Sequence, residues 1–295
     1  MTGDRTALAV HDLGGEGPPL LLLHGIGRTL ADWAAVAPLL LARHRVLVVD
    51  LPGHGRSPCG SWQLPEVLDD LERVLAAYRV PEALPVGHSL GGVLAVLYAL
   101  GHPDVTPGAV NLDGFGWGRP DQYVGLERDY VVRHLAKVRE SSVEGQGREL
   151  STDGLKDLLA EQRALSDRLG LPYDLLEAGV LRSVSEREDG VLEVKPGREE
   201  ALQMIGAMES LDLFALFKRM TTPLLLVRAE RTVPSVPDLD WFEPMMAAYG
   251  KGLARDLAAL AEECPHVTVV GIDATHAMLL ENPRMVADAI LGFAA

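Results

Sequence analysis

The chain has 295 residues, 47% of them hydrophobic and 5% aromatic, with a formal net charge of -15; it is long enough to bury a large core as one big domain or a domain with a substantial insertion. The surplus of carboxylates opposes binding to phosphate backbones and anionic lipid, so nucleic-acid and membrane partners are not expected, whereas a small-molecule partner and a homo-oligomer are compatible with it. Cys59 and Cys264 are too far apart in the chain to read as a disulfide framework, and the N-terminus lacks a basic region followed by an apolar core, so the expected location is the cytoplasm.

Short apolar runs bounded by turn residues alternate with helix-periodic stretches through the first 113 positions. Strands are expected at 20–23, 45–50, 84–87 and 109–113, and helices at about 29–41, 65–78 and 90–101, the second opening behind Pro65. That alternation predicts an α/β fold with a mostly parallel, doubly wound sheet covered on both faces. From about 119 to 220 the sequence becomes charged and helix-periodic, which reads as an inserted helical cap, with Glu186-Arg187-Glu188-Asp189-Gly190 as an exposed turn. The strand pattern returns at 223–227 and 266–270, separated by a long helical segment that includes 241–261, and a helix at about 283–293 follows. The expected core is therefore 1–118 together with 221–295.

The segment Gly87-His88-Ser89-Leu90-Gly91 is a G-x-S-x-G pentapeptide between an apolar run and the helical pattern of residues 93–100. In that context a strand turns sharply into a helix, the serine hydroxyl projects above the sheet, and the glycines remove side chains that would collide across the turn. The helix that follows points its positive end at an anion formed by attack of Ser89. In a chain with 30 glycines the pentapeptide alone would be weak evidence; its place between strand and helix is what gives it weight.

Three further segments occur in a telling order: Leu23-His24-Gly25-Ile26-Gly27, then Asp50-Leu51-Pro52-Gly53-His54-Gly55-Arg56-Ser57, and late in the chain Asp273-Ala274-Thr275-His276. With the Ser89 turn they resemble the α/β-hydrolase family, and the resemblance spans nearly the whole chain. It implies a serine hydrolase with an oxyanion hole at the backbone amides of Ile26 and Leu90, approached closely because Gly25 carries no side chain. A single donor of that kind is worth about 2.7–4 kcal/mol of transition-state stabilisation. For His24 and His54 the resemblance implies structural roles, one bracing the oxyanion loop and one a turn.

His276 resembles the family's general base, which takes the serine proton and returns it to the leaving group. The acid departs from the commonest family pattern. That pattern places an aspartate in the loop after the penultimate strand, where this chain reads Ala229-Glu230-Arg231-Thr232 and Thr232 holds the expected position. Without a carboxylate the imidazole loses control of its tautomer, which costs about 10⁴ in turnover in a serine protease. Some relatives place the acid after the preceding strand, which makes Asp113 the first choice, followed by Glu230, Asp238 and Asp240.

There is no H-E-x-x-H, no paired C-x-x-C and no P-loop lysine, and the Gly25/Gly27 and Gly53/Gly55 pairs lack the third glycine of a dinucleotide fingerprint, so no metal and no cofactor is expected. The aromatic residues of Gly114-Phe115-Gly116-Trp117-Gly118, Trp117 above all, are expected near the pocket entrance or packed under the cap. Met204, Met208, Leu211, Leu213, Phe214 and Phe217 recur at helical spacing and suit either a cap core or an apolar substrate group. The expected activity is cleavage of a carboxylic ester or related acyl bond of a small, apolar molecule. A carbon-carbon bond hydrolase or thioesterase of the same fold is the alternative among enzymes, and a receptor-like small-molecule binder the alternative outside them.

Overall fold

The computed structural model describes residues 7–232 and 240–294. In chain order the first half comprises β1 (Val10–Asp12), β2 (Leu20–Leu23), a 3-10 turn (Leu30–Trp33), α1 (Ala37–Leu40), β3 (Val46–Val49), α2 (Leu64–Ala77), β4 (Leu84–His88), α3 (Leu90–Gly101) and β5 (Ala109–Leu112). Then come α4 (Arg128–Ser142), β6 (Glu149–Leu150), α5 (Thr152–Leu169), α6 (Tyr173–Ser183), β7 (Val184–Glu186), β8 (Leu192–Val194), α7 (Arg198–Glu209) and α8 (Leu213–Arg219). The remainder is β9 (Leu224–Ala229), α9 (Phe242–Glu263), β10 (Val267–Ile272), α10 (Met278–Glu281) and α11 (Pro283–Phe293).

Seven strands form one sheet in the order β1-β3-β2-β4-β5-β9-β10, parallel except for β1, which runs antiparallel to β3. The runs Leu20–Leu23 and Val46–Val49 are buried at every position because helices cover both faces of this sheet, as a parallel sheet requires. One apolar layer joins β2, β3 and β5 to α1 and α11, while two others lie under α2 with α3 and under α8 with α9. Parallel pairing brings the carboxyl ends of β2, β4, β5, β9 and β10 to one edge, where open α/β sheets bind ligands.

Three elements differ from the sequence reading. The helix expected at 29–41 is a 3-10 turn capped by Thr29 and a separate short α1, because Pro38 cannot donate to a continuous ladder. β1 adds an exposed antiparallel edge too short to show a period. The stretch between β5 and β9 is not wholly helical: β6, β8 and β7 pair into a small antiparallel sheet, with 187–190 as the exposed turn between β7 and β8. Residues 242–261 lie within α9, which Trp241 precedes as N-cap and whose Met245, Tyr249, Leu253, Leu257 and Leu260 bury one stripe against the core. Among the described residues no helix is long and apolar enough to cross a membrane.

Candidate active site

Ser89 follows β4 directly, and its amide donates to the Leu112 carbonyl at 2.9 Å, so the strand pairing persists up to the turn. The residue itself has φ 55° and ψ -120°, a backbone state that costs an L-residue on the order of 1–3 kcal/mol and is held by its surroundings. Those surroundings admit no side chain: a Cβ on Gly87 would stand 1.9 Å from the Gly91 carbonyl oxygen, and one on Gly91 would stand 2.3 Å from that of Leu23. Leu90, the first residue of α3, buries its side chain and has no carbonyl a turn earlier in the helix to take its N–H. Gly25 packs against Ser89, where a Cβ would meet the serine Cβ at 3.0 Å.

Asp113 ends β5 in a left-handed turn with φ 54°. Its amide donates to the Val227 carbonyl at 2.7 Å, and the buried Asn111 pins the turn by accepting from the Gly114 amide at 2.7 Å and donating to the Gly114 carbonyl at 2.9 Å. The two carboxylate oxygens are divided: Oδ1 accepts from the Ala229 amide at 2.9 Å, and Oδ2 lies 2.7 Å from His276 Nδ1. Burial pushes this carboxyl up, but the hydrogen bond and charge of His276 together with the Ala229 amide outweigh it and hold the group below the ordinary carboxylate value.

His276 sits between β10 and α10. Thr275 turns the chain there by bonding Glu281 through both its amide and its hydroxyl. Arg231, in the loop where the commonest family pattern has its aspartate, pairs with Asp273 at 2.9 Å and with Glu281 at 2.6 Å. The loop after β9 thus braces the histidine loop from outside. Glu230 turns away to Arg228 at 2.8 Å, and Asp240 is exposed at the turn before α9. Asp238 lies outside the described residues.

Ser89, Asp113, Ile26, Trp117 and His276 all line one cavity of about 370 Å³. Its opposite wall comes from α4, α7, α8 and the Leu211 turn, with Leu135, Val138, Met208, Leu211, Leu213 and Phe214 supplying apolar surface. Met204 and Phe217 are instead fully buried in the core. Trp117, 36% exposed, sets its ring edge-on to His276 with centroids 6.2 Å apart. The Gly116–Trp117 loop is anchored by two hydroxyls, Tyr249 to the Gly116 carbonyl at 2.8 Å and Tyr123 to the Trp117 carbonyl at 2.9 Å. That anchorage gives α9 a part in shaping the cavity.

The loop carrying Ile26 is held by two neutral imidazoles. His54 Nε2 accepts from the Gly27 amide at 3.1 Å, and His24 Nε2 accepts from the Leu51 amide at 3.0 Å. His54 therefore braces the Gly25–Gly27 loop, while His24 ties that loop to the turn after β3. Burial pulls both pKa values below the ordinary imidazole value, His54 strongly so. Sequence reading missed Asn111 and His88, whose contacts depend on a positive-φ turn and on a loop 188 residues away.

The family profile for the alpha/beta hydrolase fold matches residues 18–163. The magnesium-chelatase 30 kDa subunit of Rhodobacter capsulatus is 41% identical over 227 residues, covering 75% of this chain and 73% of that protein. A pimeloyl-[acyl-carrier protein] methyl ester esterase of Aeromonas hydrophila subsp. hydrophila is 42% identical over 94 residues, which span 30% of this chain and 35% of that esterase. Among solved structures, E-2-(acetamidomethylene)succinate hydrolase superposes with a TM-score of 0.71 at 24% identity, covering 97% of this chain and 94% of the other. The extent of these matches and the shared sheet show that the chain belongs to the α/β-hydrolase fold family.

Proposed function

We propose that the chain is a serine hydrolase cleaving a carboxylic ester or related acyl bond of a small, largely apolar molecule. The observation that carries this reading is the Asp113–His276 pair on the wall of the cavity that also holds Ser89. With Nδ1 committed to Asp113, Nε2 is the nitrogen left to take the Ser89 proton as Oγ attacks the substrate carbonyl carbon. The amides of Ile26 and Leu90 receive the resulting oxyanion. Return of the proton to the leaving oxygen releases an alcohol and leaves an acyl-enzyme; water, deprotonated by His276, then frees the acid and restores Ser89. Residues 119–220 serve as a cap whose helices supply the apolar wall. The esterase name of the Aeromonas relative supports the reaction class.

The test is hydrolysis of nitrophenyl esters of increasing acyl length by wild type and Ser89→Ala. Chain-length-dependent turnover that Ser89→Ala abolishes is the expected result. A wild type inert toward all of them would reject ester cleavage and favour carbon-carbon cleavage or ligand binding. A second reading, service as a subunit of a larger assembly, has the Rhodobacter relative's name in its favour. It predicts that Ser89→Ala leaves the protein's biological role intact.

A further inference from the structure

We infer that His88, the residue immediately before the proposed nucleophile, is a positioning residue that ties the backbone of the His276 loop to the end of β4. The inference rests on the hydrolytic reading above. His88 Nε2 lies 2.8 Å from the His276 backbone oxygen. A carbonyl only accepts, so Nε2 carries the hydrogen. The residue is 6% exposed, and among the described residues its Nδ1 is buried without a partner. A proton added at Nδ1 would make a buried cation with no acceptor, so the ring is held neutral in one tautomer. Among the described residues the charged and titratable groups that act on it most are His276 in the loop after β10, Asp32 in the 3-10 turn and Asp113 after β5. Burial, followed by the influence of His276, outweighs the two carboxylates and pulls the His88 pKa down to about 3.

The two histidine rings lie 4.6 Å apart. When His276 takes up the serine proton, its neighbour therefore adds no second positive charge. The base is also fixed at two separate points: Asp113 sets the direction of the ring through Nδ1, and His88 sets the position of the loop through the backbone oxygen. Loss of the His88 bond would let the loop drift relative to Ser89 while the Asp113 bond persists. A misplacement of about 1 Å in such a constellation costs on the order of 10²-fold in rate.

The experiment compares wild type, His88→Phe, which fills the space without a donor, and His88→Gln, whose amide can donate in place of Nε2. Labelling of Ser89 by a fluorophosphonate is followed by mass spectrometry from pH 5 to 9, beside kcat and KM on a nitrophenyl ester and thermal melts. Expected are a labelling rate and kcat about 30- to 100-fold lower in His88→Phe with little change in KM, and recovery to within about fivefold in His88→Gln. A folded His88→Phe that labels and turns over like wild type overturns the inference. A wild type that neither labels nor turns over overturns the hydrolytic reading itself, so the two failures are distinct. If His88→Phe does not fold, long-range proton–nitrogen spectra of wild type decide the matter. His88 must show the Nε2–H tautomer with no titration between pH 5 and 8, and the other tautomer or a titration in that range overturns the inference.

Discussion

Asp113 and Glu230 both follow strands that end at the same edge of the sheet, and for that reason the order of residues could not separate them. What separates them is the direction of the chain beyond each strand. Asn111 folds the Asp113–Gly114 turn back on itself, aiming the carboxylate at His276, whereas Glu230 continues outward to Arg228. Asp113→Asn can still accept from the Ala229 amide, but its amide nitrogen faces His276 Nδ1 as a donor, which favours the wrong tautomer and removes the charge that balances the imidazolium. A fall in kcat of about 10³- to 10⁴-fold is expected, against a change of less than about twofold for Glu230→Gln. The reverse pattern on a nitrophenyl ester at pH 8 would move the acid to Glu230. Thermal melts add a check on sign. The Asp113 carboxyl titrates below its ordinary value in the fold, so its stabilisation is present above the ordinary carboxylate range and is lost as pH falls through the lowered value. The difference in Tm between wild type and Asp113→Asn should therefore narrow toward pH 3.

At the scale of elements, legibility followed burial. The strands of the sheet interior announced themselves as unbroken apolar runs, and Ser89 and His276 stood out as candidates because each is embedded in a local motif. β1 and the small β6-β8-β7 sheet carry two or three residues per strand with mixed exposure, too few to show a period. The anchorage of the α6 region was equally hidden, because its partners are more than a hundred residues apart. Asp50, fully buried at the end of β3, accepts from the Leu30 and Arg56 amides and pairs with Arg182 on α6 at 2.9 Å. Arg56 returns the contact by donating to the carbonyls of Leu181 and Val184. Arg182 is only 17% exposed, so Arg182→Ala strips a buried carboxylate of its counter-charge, a loss of about 3–5 kcal/mol. Arg187→Ala removes pairs to Glu149 and Asp189 that stand in solvent, and its urea midpoint should stay close to that of wild type. Urea unfolding of the two variants checks the contrast; equal midpoints would mean that Asp50 is satisfied by backbone donors alone.

For the whole molecule, the arrangement that gathers the site also sets its response to acid. Loops from the ends of β2, β3, β4 and β10 meet at one edge, and three imidazoles are buried in the joints between them. His24 and His54 must each keep one nitrogen bare to accept a backbone N–H, and His88 Nδ1 is sealed off, so the geometry requires all three to be neutral. All three pKa values are lowered, with burial the leading cause. In the unfolded chain the same rings take up protons near pH 6.5. Between that pH and their lowered folded values the unfolded state binds up to three more protons than the native state, so stability is greatest above about pH 6.5 and declines as pH falls. Each ring that stays neutral in the fold while its unfolded counterpart is charged steepens the decline by about 1.4 kcal/mol per pH unit. Urea midpoints at pH 7.5, 6.5 and 5.5 should fall progressively faster, well before the Asp113 contribution is lost. His88→Phe, having one fewer ring to protonate, should show a shallower decline even as its starting stability changes. Stability that stays level from pH 7.5 to 5.5 would show that these imidazoles reach solvent or acceptors, and would undo the account of how the loops around Ser89 are joined.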